Sequence, residues 1–138
     1  MWNLLFPARC LGCRAPDIYL CPHCLARVPP AEPIEISEAV AVFSYHHPVI
    51  KQAIWRLKYG GITSLAATLA DLLNDRLLEY LAEDDALAPG GESWLVVPVP
   101  ASRRGRGYNQ AALVARALTH LDEEFLIYAD LLTKIRPT

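Results

Sequence analysis

The sequence predicts an α/β protein preceded by a small metal-binding ribbon, and three observations carry that reading. All four cysteines of the 138-residue chain stand near its start, as Cys10-Leu-Gly-Cys13 and Cys21-Pro-His-Cys24. Further on, strand-like runs at 39–45 and 94–99 alternate with stretches of helical periodicity. A loop rich in arginine and glycine, 101–108, comes after the second run and leads straight into a helix.

The cysteine spacing is that of a tetrahedral thiolate site. Each CxxC pair puts two sulfurs on one tight turn, and the seven residues between the pairs let one turn fold over the other. Zn²⁺ is the expected occupant, with another thiophilic metal such as iron, or unmetallated thiols, as the alternatives. Disulfides are disfavoured because Met1 to Phe6 lacks the basic start and long apolar run of an export signal. A redox CxxC would stand singly at a helix start, whereas two copies here precede any strand pattern. His23 lies inside the second pair, but four cysteines suffice without it. Four thiolates leave no open coordination position, so the expected role is structural. About 30 residues are too few to fold on apolar burial alone, and structural zinc supplies on the order of 10 kcal/mol. Leu11, Ile18, Tyr19, Leu20 and Leu25 are expected to dock on the domain C-terminal to the ribbon.

Composition excludes two broad classes. With 53% apolar residues and a formal charge of −2, the chain is neither a disordered polyelectrolyte nor a strongly basic nucleic-acid binder. No apolar run approaches the roughly 20 residues that span a bilayer, so a cytoplasmic location is expected. Pro29-Pro30-Ala31-Glu32-Pro33 can neither continue a helix nor pair in a sheet. The expected organisation is therefore a ribbon at 1–30, a linker at 31–38 and an α/β domain at 39–138.

Residues 39–45 are β-branched and aromatic with alternating faces, and read as a strand. Pro48 suits the first turn of a helix whose apolar face is Ile50, Ala53, Ile54 and Leu57 and which stops at Gly60-Gly61. Trp55 flanks that stripe and is expected to pack there. Thr63 or Ser64 caps a longer helix with Leu65, Leu69, Leu72, Leu73, Leu77 and Leu81 on its core face. Residues 83–93 are a polar loop. Trp94 to Pro100 is continuously apolar, the pattern of an interior parallel strand buried on both faces, with Pro98 and Pro100 ending its pairing. Asn109 caps a helix that buries Leu113, Val114, Ala117, Leu118 and Leu121, and 125–128 is a third, short strand.

The loop between strand and helix is the candidate anion site. In open α/β sheets ligands sit beyond the carboxyl ends of strands, where loop amides and a helix N-terminus converge. Arg103, Arg104 and Arg106 offer planar bidentate donors, Gly105 and Gly107 allow close backbone approach, and Asn109 opens the helix. Phosphate or pyrophosphate suits this chemistry. A solvated surface turn and contact with a nucleic-acid backbone are the alternatives.

Taken together, the two CxxC pairs, Arg56-Leu57-Lys58-Tyr59-Gly60, Val97-Pro98-Val99-Pro100 and Arg106-Gly107-Tyr108-Asn109-Gln110 resemble the ComF family, in matching order over nearly the whole chain. The resemblance implies a double zinc ribbon joined to a phosphoribosyltransferase-like domain, and a link to DNA uptake in natural competence. It implies that loop 101–108 is the pyrophosphate loop, that Lys58 packs near the site as a supporting residue, and that 132–138 resembles the start of a mobile loop.

One departure matters. The family's phosphoribosyltransferase relatives hold ribose and 5-phosphate with two acidic residues and a Thr-Thr-Gly-like turn after an apolar strand, and this sequence has none. Asp84-Asp85 precedes no such turn and reads as a solvated helix end. The parallel sheet is therefore expected to be incomplete, as in a C-terminally truncated form, with a shortened homologue as the alternative. Two functions stand as expectations. The first is an accessory factor in DNA uptake, in which ribbon and loop contact single-stranded DNA or the uptake machinery and Trp55 and Tyr108 stack on bases. The second is a phosphoribosyltransferase in a longer form, using phosphoribosyl pyrophosphate and Mg²⁺, with this chain inactive alone. No catalytic acid or base is identified; His46, His47 and His120 read as surface or capping residues.

Overall fold

The computed structural model describes residues 7–32, 39, 41–83, 93–101, 107–121, 123, 125–133 and 135. The chain forms two compact units, Met1–Gly60 and Gly61–Thr138. Their division falls at the glycine pair, whereas the sequence placed its linker at 31–38. Across that linker the chain is tied back on itself. Pro30 and Phe43 form an antiparallel bridge, and the Ala31 amide donates to the Val42 carbonyl at 3.3 Å.

The first unit begins with a doubled-back segment held by backbone bonds. The Cys10 amide donates to Ala15 at 2.8 Å, that of Leu11 to Tyr19 at 2.9 Å, and that of Asp17 to Ala8 at 2.8 Å. Arg14 and Asp17 adopt left-handed backbone, with φ of 67° and 63°, to turn the chain. A single helical turn, α1 (Pro22–Leu25), carries Cys24 and is capped by Cys21, and Pro22 sits at its start, where no amide is needed. Helix α2 (Pro48–Tyr59) begins at Pro48 as expected and buries Ile50, Ala53 and Leu57, with Ile54 half-buried. It ends at Gly60, whose amide donates to the Arg56 carbonyl at 2.9 Å; Gly61 then reverses the chain at φ +67°.

Two expectations fail in this unit. Among the described residues 39–45 form no strand, only the Phe43 bridge. The partner segment is Pro29-Pro30, which has no amide to donate, so a ladder cannot propagate. At the other end the His46 amide bonds Ser44 Oγ at 3.3 Å, closing a turn. Trp55, expected to pack, is instead 56% exposed. It lies on the side of α2 away from Ile50, Ala53 and Leu57.

The second unit is a β–α–β crossover under a long helix. Strand β1 (Trp94–Val96) pairs in parallel with β2 (Phe125–Ile127), in the register Trp94–Phe125, Leu95–Leu126, Val96–Ile127. Helix α4 (Gln110–Leu121) connects them, as a parallel pair requires, and packs on α3 (Leu65–Glu83). Ala70, Leu81, Leu118 and Phe125 form the centre, and Leu77, Trp94, Val96, Val114 and Ala117 close around it. Of the predicted stripes, Leu77 and Leu81 of α3 and Val114, Ala117 and Leu118 of α4 face this core. Leu121 is exposed, because it is the last residue of α4 and points beyond the packed turns.

The strand at 94–100 departs from its expected burial. Only 94–96 pair, and Leu95 and Leu126, neighbours across the ladder, are 54% and 53% exposed. One sheet face packs on the helices and the other is open, so the continuous apolar run does not mark burial on both faces. The α/β class stands: helices with a two-stranded parallel sheet. No helix among the described residues is long and apolar enough to cross a membrane.

Candidate metal centre and strand-end loop

Local backbone geometry brings the four cysteines together. The turn after Cys10 is closed by the Arg14 amide on the Cys10 carbonyl at 3.0 Å, which presents Cys10 and Cys13 on one side. Cys21 is the N-cap of α1, its sulfur accepting from the Cys24 amide at 3.4 Å, and this places the second pair on the same turn of chain. The sulfurs of Cys10, Cys13, Cys21 and Cys24 all lie within 4.8 Å of one another, and Cys21 Sγ is 3.5 Å from both Cys10 Sγ and Cys13 Sγ. A tetrahedron of metal–sulfur bonds of about 2.3 Å has sulfur–sulfur edges of about 3.8 Å. The cluster therefore fits a metal ion of that class.

The surroundings are those of a structural centre. Cys10, Cys21 and Cys24 are buried, Cys13 is exposed, and Ala15 and Ile18 pack against the group. Gly12 is the residue that sequence reasoning missed. A Cβ there would stand 2.6 Å from Cys24 Sγ and 3.2 Å from Cys24 Cβ, so only glycine lets the first turn close over the second. Its place inside the first CxxC was the available signal. Beside it, a Val49 methyl would be 3.5 Å from that Cβ, which shows the ribbon resting on the first turn of α2. Of the residues expected to dock on the following domain, Leu20 is buried, Leu11, Tyr19 and Leu25 are half-buried, and half-buried Ile18 packs on the cysteines themselves.

Electrostatics split the metal-free thiols. Burial raises the Cys10 pKa, but amides of Cys13, Cys21 and Gly12 directed at its sulfur outweigh that and bring it down to about 6. Cys24 moves the other way, to about 12, because its hydrogen bond with the Cys21 sulfur favours the thiol and burial adds to it. A metal ion would deprotonate all four as it binds.

The second candidate site is the segment between β1 and α4. Arg103, Arg104, Gly105 and Arg106 lie outside the described residues. The described ends of this segment are clearly built. Asn109 Oδ1 accepts from the Ala111 amide at 3.0 Å, the N-cap expected of it, while Asn109 Nδ2 donates to the Val99 carbonyl at 3.0 Å. One side chain thus pins the start of the loop to its end. Asn109 is thereby a residue that positions the loop. Gly107 is exposed, with nothing within 4 Å of where a Cβ would stand, and Tyr108 is half-buried. Lys58 is half-buried in the last turn of α2, within the first unit.

What the structure establishes is a four-cysteine cluster positioned to bind a metal ion, and a β–loop–α–β unit with its loop at the carboxyl end of β1. No family model matches the chain, and neither a curated protein nor a solved structure matches it.

Proposed function

We propose that the chain is a ComF-like zinc-ribbon protein with a phosphoribosyltransferase-like domain, acting in the cytoplasm as an accessory factor in DNA uptake, its strand-end loop holding phosphate or pyrophosphate. The observation that carries this reading is the pairing of two features in one chain. A four-thiolate cluster precedes a parallel crossover, and the Arg103–Arg106 segment falls between the carboxyl end of β1 and the N-terminus of α4. Cys10, Cys13, Cys21 and Cys24 would hold Zn²⁺ and brace the ribbon, supplying fold stability rather than chemistry. Arg103, Arg104 and Arg106 would neutralise the anion, Gly105 and Gly107 would admit it, and Asn109 would hold the loop in register. Lys58 is a supporting residue in the same reading.

A transferase acting on phosphoribosyl pyrophosphate with Mg²⁺ is the second reading, favoured by the placement of the loop at a strand end. These 138 residues contain no acidic pair followed by a Thr-Thr-Gly turn, so in this reading the transfer belongs to a longer form. Calorimetry with inorganic pyrophosphate tests the shared core of both readings. The expected result is micromolar to millimolar binding that Arg106→Ala weakens at least tenfold. Equal binding in that variant removes the loop assignment. Elemental analysis should return about one zinc per chain.

A further inference from the structure

The outer face of α2 carries an arrangement that neither the metal centre nor the strand-end loop uses. Lys51, Trp55 and Tyr59 recur four residues apart, and all three are exposed. Trp55 is 56% and Tyr59 59% exposed, and their rings lie 5.2 Å apart at 53°. An i, i+4 aromatic pair adds little to a helix, so helix stability does not account for two large rings held in water. Charge is equally one-sided. Lys51, Arg56 and Lys58 are the charged residues of α2, which has no acid, and no ion pair engages any of the three among the described residues. By helical spacing Lys51 and Lys58 flank the aromatic pair on one side and Arg56 on the other. The first unit as a whole has six Lys and Arg against four Asp and Glu, whereas residues from Gly61 on have seven against eleven. The −2 net charge hides this asymmetry.

We infer that this face of α2 is a stacking platform for single-stranded nucleic acid, with Trp55 and Tyr59 receiving bases and Lys51 and Arg56 the phosphates. It rests on, and deepens, the DNA-contact part of the proposed function: it pairs Trp55 with Tyr59 instead of Tyr108 and places the contact on the outer face of α2. Aromatic faces interleaved with cations are what an unpaired strand requires, since every base has a π-face and every linkage a charge. A membrane surface fits less well. The aliphatic residues of α2 are on its buried side, and an interfacial helix needs them on the open one.

The test is fluorescence anisotropy of the zinc-loaded chain with a labelled oligothymidylate of about 15 nucleotides. Wild type is expected to bind with a log–log salt slope of about −1.4, from about two neutralised phosphates. Trp55→Ala and Tyr59→Ala should each weaken binding about tenfold, and the pair about 100-fold. Lys51→Ala should flatten the slope by about 0.7. Both rings are exposed, so circular dichroism and metal content should not change. Wild-type affinity in the double variant overturns the inference. If binding then disappears on replacing Arg103, Arg104 and Arg106, the inference fails while the DNA reading survives. No oligonucleotide binding by wild type overturns both. Binding to phosphatidylserine vesicles through Trp55 and Tyr59, without oligonucleotide binding, overturns the inference as well.

Discussion

Replacing Gly12 by alanine should damage the metal centre without touching a ligand. The added Cβ would sit 2.6 Å from Cys24 Sγ, whereas nonbonded heavy atoms pack at about 3.5–4.0 Å, so about 1 Å of overlap must be relieved. Cys24 Sγ is the far end of a short side chain and would ordinarily swing away. Bound to a metal it is held to within about 0.2 Å of its bond length, and Cys24 Cβ at 3.2 Å blocks retreat along the side chain. The strain must then enter the backbone of the turn, at the typical overpacking cost of about 1–3 kcal/mol, a factor of about 5–150 in metal affinity. Backbone propensity does not confuse the result, because Gly12 has no positive φ. Gly61→Ala is the complementary control: a Cβ there meets nothing within 4 Å, but φ +67° strains it, so it should lower stability and leave metal affinity unchanged. Competition against a chromophoric chelator at fixed pH measures both. Wild-type affinity in Gly12→Ala would refute the argument that the two CxxC turns close by direct contact at this glycine.

Other expectations rest on the same geometry. Stripping the metal should abolish hydrogen-exchange protection over 7–32 while 110–121 stays protected, since α4 packs on a core that contains no cysteine. Leu118→Ala, at a position 1% exposed in that core, should cost about 2–5 kcal/mol in urea unfolding. Asn109→Ala removes the cap on Ala111 and the tie to Val99, and should cost about 1 kcal/mol of thermal stability. Metal affinity should fall steadily as pH drops, because the thiols must lose their protons for the ion to bind, in chelator titrations run from pH 8 to 5.

Local signals were legible in the sequence wherever one element decides the outcome. The two CxxC turns, Pro48 opening α2, the Gly60-Gly61 stop, the leucine stripes of α3 and α4 and the Asn109 cap depend on residues within a turn or two of one another, and each was readable there. The four sulfurs within 4.8 Å show that the spacing of the pairs already carried the site. The loop arginines are legible as chemistry in sequence, although Arg103, Arg104 and Arg106 lie outside the described residues.

What needed the tertiary structure was every property that depends on a partner distant in the chain. Residues 39–45 have strand propensity, but a strand exists only against a donor-bearing neighbour, and Pro30 is not one. Leu95 reads as core, yet which sheet face is covered depends on where α3 and α4 pack. Trp55 reads as packed because it adjoins an apolar stripe, and only the placement of Ile50, Ala53 and Leu57 against the rest of their unit turns it outward beside Tyr59. Gly12 reads as a turn residue until Cys24 Sγ is seen where its side chain would be. The sequence by itself therefore determined the clustering of the four cysteines, the helices and the α/β class, because those depend on short-range spacing. Which surfaces are covered and which stay open was decided by packing between segments far apart in the chain, and propensity carries no record of that.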